Sequence, residues 1–74
     1  MKHFEEFKEI VSVIVRGKEI TPETELKSLG IDSLDLVGII SDAEEKYNIE
    51  FTNEELQSFV TVGDVVKSID SKLN

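Results

Sequence analysis

Ser33 stands between Asp32 and Leu34 in the stretch LGIDSLDLVG, residues 29–38. A serine nucleophile needs a base within hydrogen-bond reach, and usually a third group to orient that base. The chain has one histidine, His3, close to the N-terminus and expected on the solvated surface. No G-x-S-x-G elbow surrounds Ser33. The neighbouring carboxylates are too weakly basic, when ordinary and exposed, to serve instead. An enzyme is a poor reading.

Metal chemistry fares no better. There are no cysteines, so neither thiolate ligands nor disulfides are available. The run DSLDLVG lacks the alternating oxygen ligands and the closing glutamate of a calcium loop, and Leu34, Leu36 and Val37 fill the intervening places. What remains is a hydroxyl at a helix start that another enzyme modifies. Free amides and the helix dipole favour a phosphate attached there, although the Asp32 carboxylate opposes it. The competing reading is that Ser33 only helps to cap the helix. On the local pattern alone the cap is the stronger of the two, because serine is common at helix starts.

Helices must position this residue. Phe4, Phe7, Ile10, Val11, Ile14 and Val15 recur at helical spacing and predict an amphipathic helix over 2–16, stopped by Gly17. Residues 18–32 show no sustained period. Thr21 and Pro22 fit one short turn, and Leu26, Leu29 and Ile31 are expected to pin the loop to the core. Asp32 opens the second helix as its cap, with Asp35 completing a box-like pattern. Leu36, Ile40, Ala43 and Tyr47 form its apolar stripe, flanked by Val37 and Ile39, and Asn48 ends it. Asp35, Asp42 and Glu45 line a separate acidic stripe.

Residues 49–51, IEF, are expected to plug apolar side chains into the core. Thr52 with Glu55 predicts a boxed short helix bearing Leu56 and Phe59. Thr61 with Asp64 predicts another, with Val62, Val65, Val66, Ile69 and Leu73 on its apolar face. The fold class is therefore all-α. It is a small four-helix bundle with a short third helix and a long loop between helices 1 and 2, one domain over residues 1–74.

Sixteen acidic against eight basic residues give a net charge of −8, which repels nucleic acid and anionic lipid and draws basic protein surfaces. For charge by itself, solubility is the simpler reading. No apolar run approaches the length of a membrane span, and charges interrupt the N-terminus too often for a signal peptide, so a cytoplasmic monomer is expected.

The Asp32-Ser33-Leu34 triplet follows Leu29-Gly30 and precedes Asp35. Beyond it come the acidic helix with Glu44 and Glu45, the exit from Tyr47 to Phe51, the NEEL helix and the closing TVGDVVKSI. On these residues nearly the whole chain resembles the acyl carrier proteins of fatty-acid and polyketide synthesis. The resemblance implies that a phosphopantetheinyl transferase moves 4′-phosphopantetheine from coenzyme A onto Ser33, with Asp32 and Leu34 as the flanking motif. The base then belongs to that enzyme. Acyl groups ride as thioesters on the arm, between acyl-loading enzymes, ketosynthases, reductases and acyltransferases.

It further implies that Leu34, Asp35, Glu44 and Glu45 meet basic docking patches, beside Gly38, where many fatty-acid carriers have glutamate. Ser41 occupies a place that often holds a larger apolar residue of the acyl cavity, and Asp42 moves the acidic patch along the helix. These three departures suggest a restricted partner set or a different cargo. Leu36, Ile40, Phe51, Phe59, Val62 and Ile69 are the candidate cavity lining, although such spacing marks core first. An aminoacyl or peptidyl carrier is the alternative within the class. There the serine is more often preceded by a Gly-Gly pair, where this chain has Gly30-Ile31-Asp32. From another class, an unmodified acidic adaptor would have no need of the Ser33 hydroxyl.

Overall fold

The computed structural model describes all of residues 1–74. Four α-helices follow in order: α1 (Phe4–Ile14), α2 (Ser33–Tyr47), α3 (Asn53–Ser58) and α4 (Val62–Leu73), with a 3-10 turn at Leu26–Leu29 between the first two. There are no strands, only one isolated bridge between Glu25 and Thr61. Fourteen buried apolar residues from every element except α3 form one cluster.

Helix α1 buries Phe7 and Val11 completely, one turn apart, and lies against both α2 and α4. It ends at Ile14, two residues before the expected Arg16. Val15 turns to extended backbone yet keeps its side chain in the core, and Gly17 then turns the chain with φ +77°. No side chain caps α1 at its start. Instead His3 Nδ1 lies 2.6 Å from Asp70 Oδ1, and the Lys2 and His3 amides donate to the same carboxylate. His3 is thus tied to α4 rather than solvated.

The long loop is an ordered strap. Leu26 N–H donates to Val60 O at 2.9 Å, Val62 N–H to Thr24 O at 2.9 Å, and Gly63 N–H to Pro22 O at 2.8 Å. Alternate loop residues thus pair with the α3–α4 junction, which gives this segment neither a helical period nor a whole strand. Leu26 and Leu29 are buried and Ile31 partly so, as expected, and Ile20 joins them. Gly63 permits this approach, since a Cβ there would lie 2.7 Å from Pro22 O.

The apolar centre of α2 is Ile39, Ile40 and Ala43, one position round from the expected stripe, while Val37 is 60% exposed. Short α3 leaves the Leu36–Val37 side of α2 incompletely covered, so Ile39 takes the deeper place. Asn48 ends α2 in the left-handed conformation, φ 55°. Phe51 is buried as expected, with its amide on Glu44 Oε2 at 2.9 Å and its ring edge-on to Phe59.

Helix α3 buries no residue, so polar contacts hold it. Thr52 and Glu55 form a full capping box, and Glu55 also accepts from Lys72 Nζ at 2.9 Å and from Ser68 Oγ at 3.1 Å on α4. These bonds, the Thr52 amide first and then Lys72, hold the Glu55 carboxyl at about 2, below its ordinary 4.5. The amides of Thr61 and Val60 likewise lower Asp64. At Asp70 burial pushes upward, but the bonds from His3 and Lys2 outweigh it. Tyr47 goes the other way, raised by burial and then by its hydrogen bond to Glu6 Oε1 at 2.6 Å.

Two outcomes are expected. Gly63→Ala should lower stability by about 1–3 kcal/mol in urea unfolding, as overpacking against a backbone oxygen does. Because Glu55 is depressed in the folded chain, its contribution is complete above about 4.5 and is lost as pH falls toward about 2. Wild type should therefore lose more of its urea midpoint between these pH values than Glu55→Gln does. The comparison cancels the relief of general charge repulsion that both chains share.

Candidate functional site

The strap delivers the chain to the start of α2. Gly30 closes the 3-10 turn in the left-handed region, φ 73°, and Asp32 follows in extended backbone as the N-cap. Asp32 Oδ1 accepts from the Asp35 amide at 2.9 Å. The expected reciprocal bond from Asp35 does not form. In the two complete boxes the cap is neutral threonine, whereas here it is a carboxylate, and closing the box would bring two negative charges together.

Ser33 is the first residue of α2, exposed, and its hydroxyl makes no hydrogen bond within the chain. The capping role is taken by Asp32, so the reading of Ser33 as a cap does not hold. The Ser33 and Leu34 amides have no intramolecular partner and form an electropositive helix start beneath the hydroxyl. No histidine stands near. His3 sits edge-on to Tyr47 at the far end of α2, and Ser33 and Tyr47 lie about 21 Å apart along the axis at 1.5 Å per residue.

Two adjoining apolar grooves lie beside α2, and the first of them reaches Ser33. One, of about 420 Å³, is lined by Leu26, Lys27, Ile31, Asp32, Ser33, Leu36, Phe59 and Val60. The other, of about 260 Å³, lies between α2 and α3, with Val37, Ile40, Ser41, Glu44 and Leu56 on its walls. Leu26, Leu36 and Phe59 border both. Of the six expected lining residues, Leu36, Ile40 and Phe59 reach these openings. Phe51, Val62 and Ile69 do not, because they are packed into the closed core. Leu26, Ile31, Val37, Leu56 and Val60 complete the apolar lining, and neither loop position nor helical spacing singles them out for it.

The outer face of α2 presents Leu34, 81% exposed, beside half-exposed Asp35 and exposed Asp42 and Glu45. Gly38 lies on this face with open space where a Cβ would stand. Glu44 is only partly on it, since one oxygen holds the Phe51 amide. No three His, Asp or Glu side chains converge on a common point, and no helix is long and apolar enough to cross a membrane.

Residues 5–69 match the family model described as phosphopantetheine attachment site. The chain is similar to the acyl carrier protein of Helicobacter pylori strain J99, with 49% identity over 90% of this chain and 95% of that protein. It is 40% identical to that of Wolinella succinogenes, over 96% and 97% of the two chains, and 44% identical to that of Coprothermobacter proteolyticus, over 97% and 92%. The chain belongs to the acyl carrier protein family. Members are carriers rather than enzymes, and their cofactor is covalently attached 4′-phosphopantetheine. The helix start fits such a group: it offers one unbonded exposed hydroxyl, two unpartnered amides for a phosphate, and an apolar groove alongside.

Gly38→Ala should raise stability by about 0.5–1 kcal/mol in urea unfolding, since alanine restricts the unfolded chain and meets nothing in the folded one.

Proposed function

We propose that Ser33 is the attachment residue for 4′-phosphopantetheine and that the chain carries acyl intermediates of fatty-acid or related lipid synthesis in the cytoplasm. The observation that carries this reading is the free Ser33 hydroxyl at an uncommitted helix N-terminus. Asp32 fixes the first turn by holding the Asp35 amide, so the hydroxyl stands clear of the backbone. The Ser33 and Leu34 amides face the negative charge of a phosphodiester. The attached group supplies a terminal thiol, on which acyl groups are held as thioesters. Leu26, Leu36 and Phe59 offer an acyl chain an apolar lining, worth about 0.8 kcal/mol for each methylene fully withdrawn from water.

Leu34, Asp35, Gly38 and Glu45 form the docking face for the phosphopantetheinyl transferase and for loading enzymes, ketosynthases, reductases and acyltransferases. Glu44 joins it with its oxygen not bound to Phe51. Exposed charges of this kind set association rate and partner choice more than affinity, which suits a carrier that must leave each enzyme after every step. The open space at Gly38 lets a partner side chain approach α2 where glutamate would otherwise stand.

Incubation with coenzyme A and a promiscuous phosphopantetheinyl transferase should raise the intact mass by one phosphopantetheine, and Ser33→Ala should abolish the gain. A wild-type chain left unmodified beside a control carrier that reacts would contradict the proposal and favour the unmodified adaptor.

A further inference from the structure

Lys27 is the cation that shares a groove with Ser33. It stands exposed on the 3-10 turn Leu26–Leu29 and lines the opening of about 420 Å³ together with Asp32 and Ser33. The ion pairs of the chain join His3 to Asp70 and Lys72 to Glu55. Lys27 therefore has no carboxylate partner, in a chain whose net charge is −8.

A second lysine reaches the same turn. Lys18 Nζ donates to Ser28 O at 3.3 Å and lies 3.7 Å from where a Cβ on Gly30 would stand. The approach to Ser33 is thus electrically two-sided. The strap side carries Lys27 and Lys18, and the α2 side carries Asp35, with Asp42 and Glu45 farther along.

A phosphodiester on Ser33 would carry one negative charge. Asp32 and Asp35 repel it from one side, and the strap lysines attract it from the other. Resting on Ser33 as the attachment residue, we infer that Lys27 is a positioning residue for the prosthetic arm. It acts as counter-ion to the phosphodiester and turns the arm toward Ile31, Leu36 and Phe59 rather than out along acidic α2. Lys18 adds charge of the same sign behind it. An exposed pair of this kind contributes orientation more than stability.

The test compares wild type with Lys27→Gln, Lys27→Arg and, as control, Lys67→Gln, an exposed lysine of α4 outside this groove. Each chain is phosphopantetheinylated and its mass verified. The readouts are the phosphorus-31 shift of the phosphodiester and the nitrogen-15 heteronuclear NOE of the arm amides, at low salt and at about 1 M salt, where the screening length is about 3 Å.

The expected result is a displaced phosphorus resonance and more mobile arm amides in Lys27→Gln at low salt, with Lys27→Arg and Lys67→Gln close to wild type. High salt should bring wild type to the Lys27→Gln values. Modified Lys27→Gln that matches wild type at low salt, or a Lys67→Gln displacement of equal size, would overturn the inference and leave the attachment reading intact. A wild-type chain that takes up no phosphopantetheine overturns both.

Discussion

The backbone contact of the strap with the α3–α4 junction sets the geometry of everything near Ser33. Pro22, Thr24 and Leu26 exchange hydrogen bonds with Val60, Val62 and Gly63, and the missing side chain of Gly63 makes room for Pro22 O. From that anchorage the chain enters the 3-10 turn, reverses at Gly30 and meets α2 at Asp32. The same strap supplies Leu26 to both grooves and Lys27 to the edge of one. A loop free to wander could neither place the hydroxyl nor wall the groove.

Rigidity is unevenly distributed around the site. Helices α1, α2 and α4 share the closed core, whereas α3 buries nothing and depends on Glu55 for both its cap and its tie to α4. The groove between α2 and α3 is thus bounded by the most weakly held helix. Elements with few buried contacts open at lower free energy than the core does. A carrier that must take in and give up a chain gains from having its least anchored wall there, while the Ser33 end stays fixed by the strap.

Helical spacing and the cap signals made the elements legible from the sequence. Thr52 with Glu55, Thr61 with Asp64, and Asn48 act as their types imply. Asp32 acts as a cap but without reciprocity, because its own charge conflicts with that of Asp35. The place of Ser33 at an exposed helix start and the acidic stripe of α2 were legible through residue type and spacing. The groove lining was not, because apolar periodicity does not distinguish a residue sealed in the core, such as Val62 or Ile69, from one at an opening, such as Leu36. The strap was illegible for a related reason. Its backbone partners lie far along the chain, and no local pattern encodes them.

The proposed function requires that the apolar groove opening at Ser33 receives the cargo. Its most direct test is an isotope-filtered NOE experiment on the chain loaded with a carbon-13-labelled, medium-length acyl group. Contacts are expected from the acyl methylenes to Leu36 and Phe59, the residues of α2 and of the α3–α4 junction that border both openings. Acyl signals that contact only exposed Leu34, or no protein side chain at all, would contradict it.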